Sequence, residues 1–322
     1  MKYLLFIFIT IFLFSGCIFE NDDDIDPNLA IIEGFNLDNY PKTDGSTSTD
    51  PLNVLIACKL MGIKHQWTRG ANGWYIEPVL KSSINIKKFQ SLVKLSQTHQ
   101  SFINLIDKKA DIILSARKIS PDEKTYADQK GIILTETPIA LDGLVFIVNP
   151  ENQVPLLTIE QIQGIYTGKI TNWNQVAGSD LDIYPFIRNA NSGSQELMES
   201  MVMFDFGNRW LPENSEVISK EQIIYSMVPV FDEVSRYEDS ICYSIYYFKK
   251  VMMRDQRTKT VAINGIYPDD ETIGDKSYPL TTEVYVVIRS DLDTSSQAYK
   301  LYEFLQTELG KEIILESGYI PL

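Results

Sequence analysis

The ten residues Arg188 to Leu197 read RNANSGSQEL, and their types and spacing suit a small anion. Ser192 with Gln195 three residues later is a capping-box spacing at a helix start. First-turn N–H groups left over by such a cap, near Gly193 and Ser194, point outward at the positive end of the helix dipole. Gly193 lets the backbone come close to a ligand, the serine hydroxyls can donate, and Arg188 brings a fixed fork of donors matched to an oxyanion. Two further helix starts carry hydroxyls. One is Ser48 and Thr49 in DGSTSTDPL, and the other is Thr98.

Those starts need elements to hold them. Pro51 followed by Leu52, Leu55, Ile56 and Leu60 predicts a helix after the polar run, with Ser48 or Thr49 as its cap and Gly62 as its stop. A second helix begins near Thr98, its cap, and carries Phe102, Ile103, Leu105 and Ile106 on its apolar side. The run ADIILSAR, Ala110 to Arg117, is a short buried strand that ends in the polar pair Ser115 and Arg117. Pro138 to Asn149 is a long apolar strand interrupted by the turn pair Asp142 and Gly143, and Tyr278 to Ile288 is a second long strand. Both suit segments that cross between lobes, so the first lobe is expected from 36–140 and 284–322 and the second from 144–279. The expected fold class is α/β, with two lobes of mixed sheet flanked by helices and two hinge-crossing strands. Thr158 and Gln161 form another capping pair, Trp173 belongs to the core, and helices are expected at Ser295 to Leu305 and Lys311 to Glu316.

Residues 1–16 have the form of an export signal, since Lys2 precedes an apolar run from Tyr3 to Phe14 that ends in Ser15-Gly16-Cys17. The small residues before Cys17 resemble a bacterial lipoprotein cleavage site, which makes Cys17 the expected lipidated residue; an ordinary signal peptide or a short anchor are the other readings. Residues 17–35, with ENDDDID inside them, are expected as an acidic, unstructured tether. Roughly 290 residues follow, enough for two lobes of ordinary size. The net charge of −14 argues against nucleic acid and means that an anion must be held by local donors. Cys58 and Cys242 fall in different lobes and are expected as buried thiols. His65 and His99 have no partners at metal-binding spacing, so neither metal nor cofactor is expected.

In its order of segments the chain resembles the phosphate-binding receptors of ABC phosphate importers, from Tyr40 to Leu322. DGSTSTDPL, ADIILSARKISPDE, PIALDGLVFIVNPEN, LTIEQIQGIYTGKITNW and RNANSGSQ carry the resemblance. It implies a two-lobed periplasmic-binding-protein fold of the second type that closes over inorganic phosphate. It also implies that Ser48 meets the ligand, that Thr49 offers a main-chain N–H, that Thr98 stands where the family has serine, and that Arg188, Ser192, Gly193 and Ser194 form the second half of a clamp. His99 replaces a glycine, and Arg117 replaces the aspartate of the best-known receptors, which accepts the proton of hydrogen phosphate. Arg117 is therefore expected either as an oxyanion contact or in a pair with a lobe-surface carboxylate, and Asp142 either as a proton acceptor, as an orienter of an arginine, or as a plain turn residue. The implied function is that of a lipid-anchored, extracytoplasmic, monomeric binding protein that serves a membrane ABC permease and is no enzyme. Other readings are a receptor for sulfate, molybdate, tungstate or an organic phosphate, a sensory or scavenging surface lipoprotein, and an exported hydrolase using Ser192 or Ser194.

Overall fold

The computed structural model describes residues 24–71, 73–204 and 219–322. Its organising element is the strand Leu134–Val148, fifteen residues long and buried at every position from Ile139 onward. A strand covered on both faces reads as a continuous apolar run, which accounts for the sequence here. Residues 134–143 pair antiparallel with the strand Thr281–Arg289, and residues 144–148 pair antiparallel with Ser240–Ile245. The long strand thus changes neighbours between Gly143 and Leu144 and joins two halves of one mixed sheet. Ile112–Ser115 and then Thr43–Gly45 extend the first half, and Tyr184–Pro185 extends the second. Helices flank both.

The expected interruption at Asp142 and Gly143 is absent. Gly143 keeps a backbone within the strand and is not among the positive-φ glycines. Asp142 Oδ1 instead accepts the N–H groups of Gly143 at 2.8 Å and Tyr247 at 3.0 Å, so its carboxylate links the long strand to the segment after Ser240–Ile245.

The helix Asp50–Met61 starts after Thr49, has Pro51 in its first turn, and stops at Gly62 with φ of 69°. Ten of its residues are buried, so it is apolar nearly all round, as a helix packed between layers must be. The second helix is Thr98–Ile106, but the cap position is Gln97, at φ of 68°. Thr98 therefore sits inside the first turn and its hydroxyl is free for other bonds. The last two helices are Gln297–Phe304 and Glu308–Glu316. Trp173 is wholly buried, and its indole donates to the Asp239 carbonyl at 3.0 Å. Cys58 and Cys242 are buried free thiols, and burial pushes both up to about 12.

The expected signal segment, 1–16, and Cys17 lie outside the described residues. The expected loose tether is corrected from Asp24 onward. The Asp24 carboxylate accepts the N–H groups of Lys81 at 2.9 Å and Ser82 at 2.7 Å, at the start of the helix Ser83–Leu92. An acidic residue there meets the positive helix end, which is why this part of the acidic run is docked. Asp26 then caps the short turn Pro27–Leu29 and donates its N–H to the Gly62 carbonyl at 3.0 Å. Among the described residues no helix is long and apolar enough to cross a membrane.

Gly62 is needed twice over, for its left-handed φ and because a Cβ there would lie 2.2 Å from the Asp26 carbonyl oxygen. Gly62→Ala is expected to lower the unfolding free energy by about 2 kcal/mol. Urea denaturation checks this, and an unchanged midpoint would contradict the docking of the Asp24–Leu29 segment.

Candidate functional site

Where the strand Thr43–Gly45 ends, Ser46, Thr47 and Ser48 turn into the helix Asp50–Met61, and Ser46 is tied down from three sides. Its N–H donates to the Leu114 carbonyl at 3.0 Å, while its hydroxyl accepts from the Thr98 hydroxyl at 2.9 Å and the Ala116 N–H at 3.0 Å. One serine thereby fixes the ends of three segments against each other. Ser48 is buried, its carbonyl accepts the Tyr319 hydroxyl at 3.0 Å, and its own hydroxyl has no partner among the described residues.

The opposite wall is built on Ile187–Arg188, which pairs in parallel with Ile223–Ile224. The Arg188 guanidinium is buried; Nε donates to the Ile224 carbonyl at 2.9 Å, and Nη1 reaches the Ser194 hydroxyl at 3.4 Å and the Met227 sulfur. Among the described residues no carboxylate pairs with it, and burial holds its pKa below the ordinary arginine value. Asn191, at φ of 67°, turns the chain into Ser192, whose hydroxyl caps the Gln195 N–H at 3.3 Å and lies 3.2 Å from the Ser194 hydroxyl. Gln195 does not return the favour to the cap as a full box would. Its side chain accepts from the Tyr243 hydroxyl and donates to Glu199 at 2.9 Å, and Tyr243 in turn accepts the Arg188 N–H at 3.1 Å.

The two walls enclose a cavity of about 460 Å³. They touch at its rim, since a Cβ on Gly193 would come within 2.8 Å of the Thr98 hydroxyl oxygen. Ser48, Thr98, Arg188, Ser192, Gly193 and Ser194 all line this cavity, and among the described residues no carboxylate does. Fixed hydroxyls, a helix start and a buried cation facing a space without negative charge form an environment for an anion.

Three expected contacts lie elsewhere. Thr49 is wholly buried below the loop, with its hydroxyl donating to the carbonyls of Ser46 at 3.0 Å and Leu114 at 2.8 Å and its N–H donating to Ser46. Its donors are spent on holding the turn. Arg117 points away from the cavity and clasps Glu123 through two bonds of 2.8 and 2.7 Å, so the carboxylate-pairing reading fits it, with a buried partner. Asp142 is buried at the crossing, outside the cavity, with Oδ2 making no hydrogen bond. Burial pushes its carboxyl up to about 7 against the pull of two backbone N–H groups.

The reading of the sequence missed Ser46 and the stretch Tyr225 to Val228 as cavity residues, while His99, a first-turn residue expected near the cleft, does line the cavity. Ser46 lay in the same hydroxyl run as Ser48, and only the strand's end point separates their roles. Glu123 was legible as the third residue after Ser120 in a capping box, and that box is present. Tyr225 to Val228 reach the site through the parallel pairing of Ile187–Arg188 with Ile223–Ile224, which no local pattern signals.

A model of the PBP superfamily domain matches residues 83–307. A phosphate-binding protein PstS of Borreliella burgdorferi is 25% identical over 221 residues, covering 68% of this chain and 75% of that protein. One from Staphylococcus saprophyticus is 25% identical over 237 residues, 70% of each chain. Among solved structures, an ABC-type phosphate transport receptor from Vibrio cholerae has a TM-score of 0.61 at 24% identity and covers 87% of this chain and 99% of its own, which shows a shared two-lobed fold. A substrate-binding protein from Clostridium perfringens, solved with bound phosphate, has a TM-score of 0.63 at 23% identity and covers 88% and 100%.

Asp142 generates a pH prediction. Its folded pKa lies above the unfolded value of 3.8, so the native state keeps a proton that the unfolded chain gives up, and stability declines as pH rises from about 4 to about 7. The full decline is at most roughly 4 kcal/mol. Asp50, pushed up to about 6 by burial, adds to it. Asp142→Asn is expected to flatten most of this slope in denaturant titrations across that range, and an unaltered slope would show that the carboxyl ionises freely in the fold.

Proposed function

We propose, for a chain that belongs to the PBP superfamily, that it is an extracytoplasmic binding protein, not an enzyme, which captures inorganic phosphate between two lobes for delivery to a membrane ABC permease. One observation carries this reading: the buried Arg188 guanidinium has no carboxylate partner and lies in one of two hydroxyl-bearing walls of a cavity that, among the described residues, no carboxylate lines. The phosphate-binding relatives support the choice of phosphate among oxyanions. The lobes of this proposal are 36–140 with 284–322, and 144–279, joined by the two long strands. Its ligand contacts are Ser46, Ser48, Thr98, Arg188, Ser192, Gly193 and Ser194. Anchoring through a lipid on Cys17, as a monomer, completes the proposal. The hydrolase reading has no activated nucleophile behind it, because the Ser192 and Ser194 hydroxyls bond to each other, Arg188 bonds to Ser194, and among the described residues no imidazole bonds to either serine.

Two substitutions test it by calorimetric titration with phosphate. Arg188→Met removes the guanidinium, and affinity is expected to fall about a hundredfold or more, as for a charge-assisted contact in a dry site. Binding as tight as that of the unaltered protein would remove the central claim. Gly193→Ala places a methyl against Thr98; it is expected to weaken binding about tenfold by holding the walls apart while thermal unfolding stays close to normal. Equal affinity would mean that the rim contact has no part in capture.

A further inference from the structure

Hydrogen phosphate differs from sulfate in carrying one proton, so a site that separates them must offer that proton an acceptor unable to donate. Hydroxyls do not qualify, since each rotates to donate or accept; among the described residues no carboxylate lines the cavity, and the unpartnered Asn189 Oδ1 can accept but does not titrate. His99 is different. It lies in the first turn of the helix Thr98–Ile106, lines the cavity, and has its Nδ1 3.0 Å from Glu123 Oε1. Glu123 is wholly buried and clamped by the Arg117 guanidinium and by the Ser120 N–H at 2.9 Å. Burial alone would raise its carboxyl, yet the bonds from Arg117 and His99 hold it below the ordinary range, so it stays ionised and can only accept. A neutral imidazole held this way keeps its proton on Nδ1 and leaves Nε2 as a bare lone pair, without a partner among the described residues.

We infer that His99, oriented by Glu123, is the residue through which this site distinguishes an oxyanion that carries a proton from one that does not, its Nε2 accepting the P–OH hydrogen. The inference rests on the reading of the cavity as a phosphate site. It also makes selectivity depend on pH. The hydrogen bond to Glu123 raises the His99 pKa against the cost of burial; Asp122 adds to the rise, Arg117 opposes it, and among the described residues Arg188 is the other cation that lines the cavity. Once protonated, Nε2–H is a donor and suits sulfate as well as phosphate. Discrimination against sulfate is therefore present above the folded pKa and lost below it.

Sulfate does not titrate in this range, which makes it the probe. Calorimetry at about pH 5.5 and about pH 8.5 is expected to show the sulfate affinity of the unaltered protein falling about tenfold or more on going to the higher pH. His99→Asn keeps a donor toward Glu123 and deletes Nε2; its sulfate affinity is expected to be level within about twofold, and its phosphate affinity at about pH 8.5 to be about tenfold weaker. A sulfate affinity of the unaltered protein that is flat with pH, or a slope that the variant reproduces, overturns the role of His99 while phosphate binding stands. Absence of binding by either anion at both pH values overturns the phosphate reading itself, and the inference with it.

Discussion

The guanidinium of Arg188 is the constraint on which the site depends. A cation removed from water costs several kcal/mol unless charge or hydrogen bonds are returned to it, and here the returns come from a carbonyl, a serine hydroxyl and a sulfur, all neutral. The rest of the chain is strongly acidic, yet among the described residues none of that charge is brought to the cavity wall. The fold thus keeps a positive charge undercompensated at one place, and the cheapest partner is an anion supplied from outside. Placement of that charge falls to the short parallel pairing of Ile187–Arg188 with Ile223–Ile224 and to the Tyr243 hydroxyl beneath it.

Such a wall binds nothing strongly until a second wall faces it, and the long strand Leu134–Val148 sets how the two can meet. By exchanging neighbours at Gly143 and Leu144 it belongs to both halves. Around this exchange sit Asp142, which grips the Tyr247 N–H, and the Tyr247 ring, stacked on Tyr319 with centroids 3.7 Å apart and planes 5° from parallel. Tyr319 reaches the carbonyl of Ser48 in the first wall. The crossing is therefore wired by hydrogen bonds and one stacked pair to the loop that carries Ser46 and Ser48.

Much of this was legible from residues near one another in sequence. The cap at Ser192, the helix after Pro51, the stop at Gly62 and the two long strands follow from local chemistry and apolar runs, and the structure has them. Errors cluster where a side chain's direction is decided by distant partners. Thr49 and Ser48 are adjacent hydroxyl residues, but the Leu114 carbonyl claims Thr49 and leaves Ser48 open to the cavity. Arg117 ends a strand as a ligand residue would, and a buried carboxylate six residues on takes it instead. Asp24 belongs to an acidic run that reads as solvated spacer, and a helix start far along the chain recruits it. Each case turns on which donor or acceptor wins, a choice made only after the chain has come together.

The bond from Tyr319 to Ser48 spans 271 residues of sequence. Contacts of that separation form late, because the entropy of closing the intervening loop must be met before they add anything. A nascent chain can therefore lay down its first helices, its early strands and the bonds that hold Ser46 to Leu114, Thr98 and Ala116, yet the Ser48 carbonyl waits for its partner until Tyr319 has been made. The last tie on the turn that carries Ser48 then arrives at the very end of synthesis, and a chain cut short before Tyr319 would keep the bonds of Ser46 and lack that one.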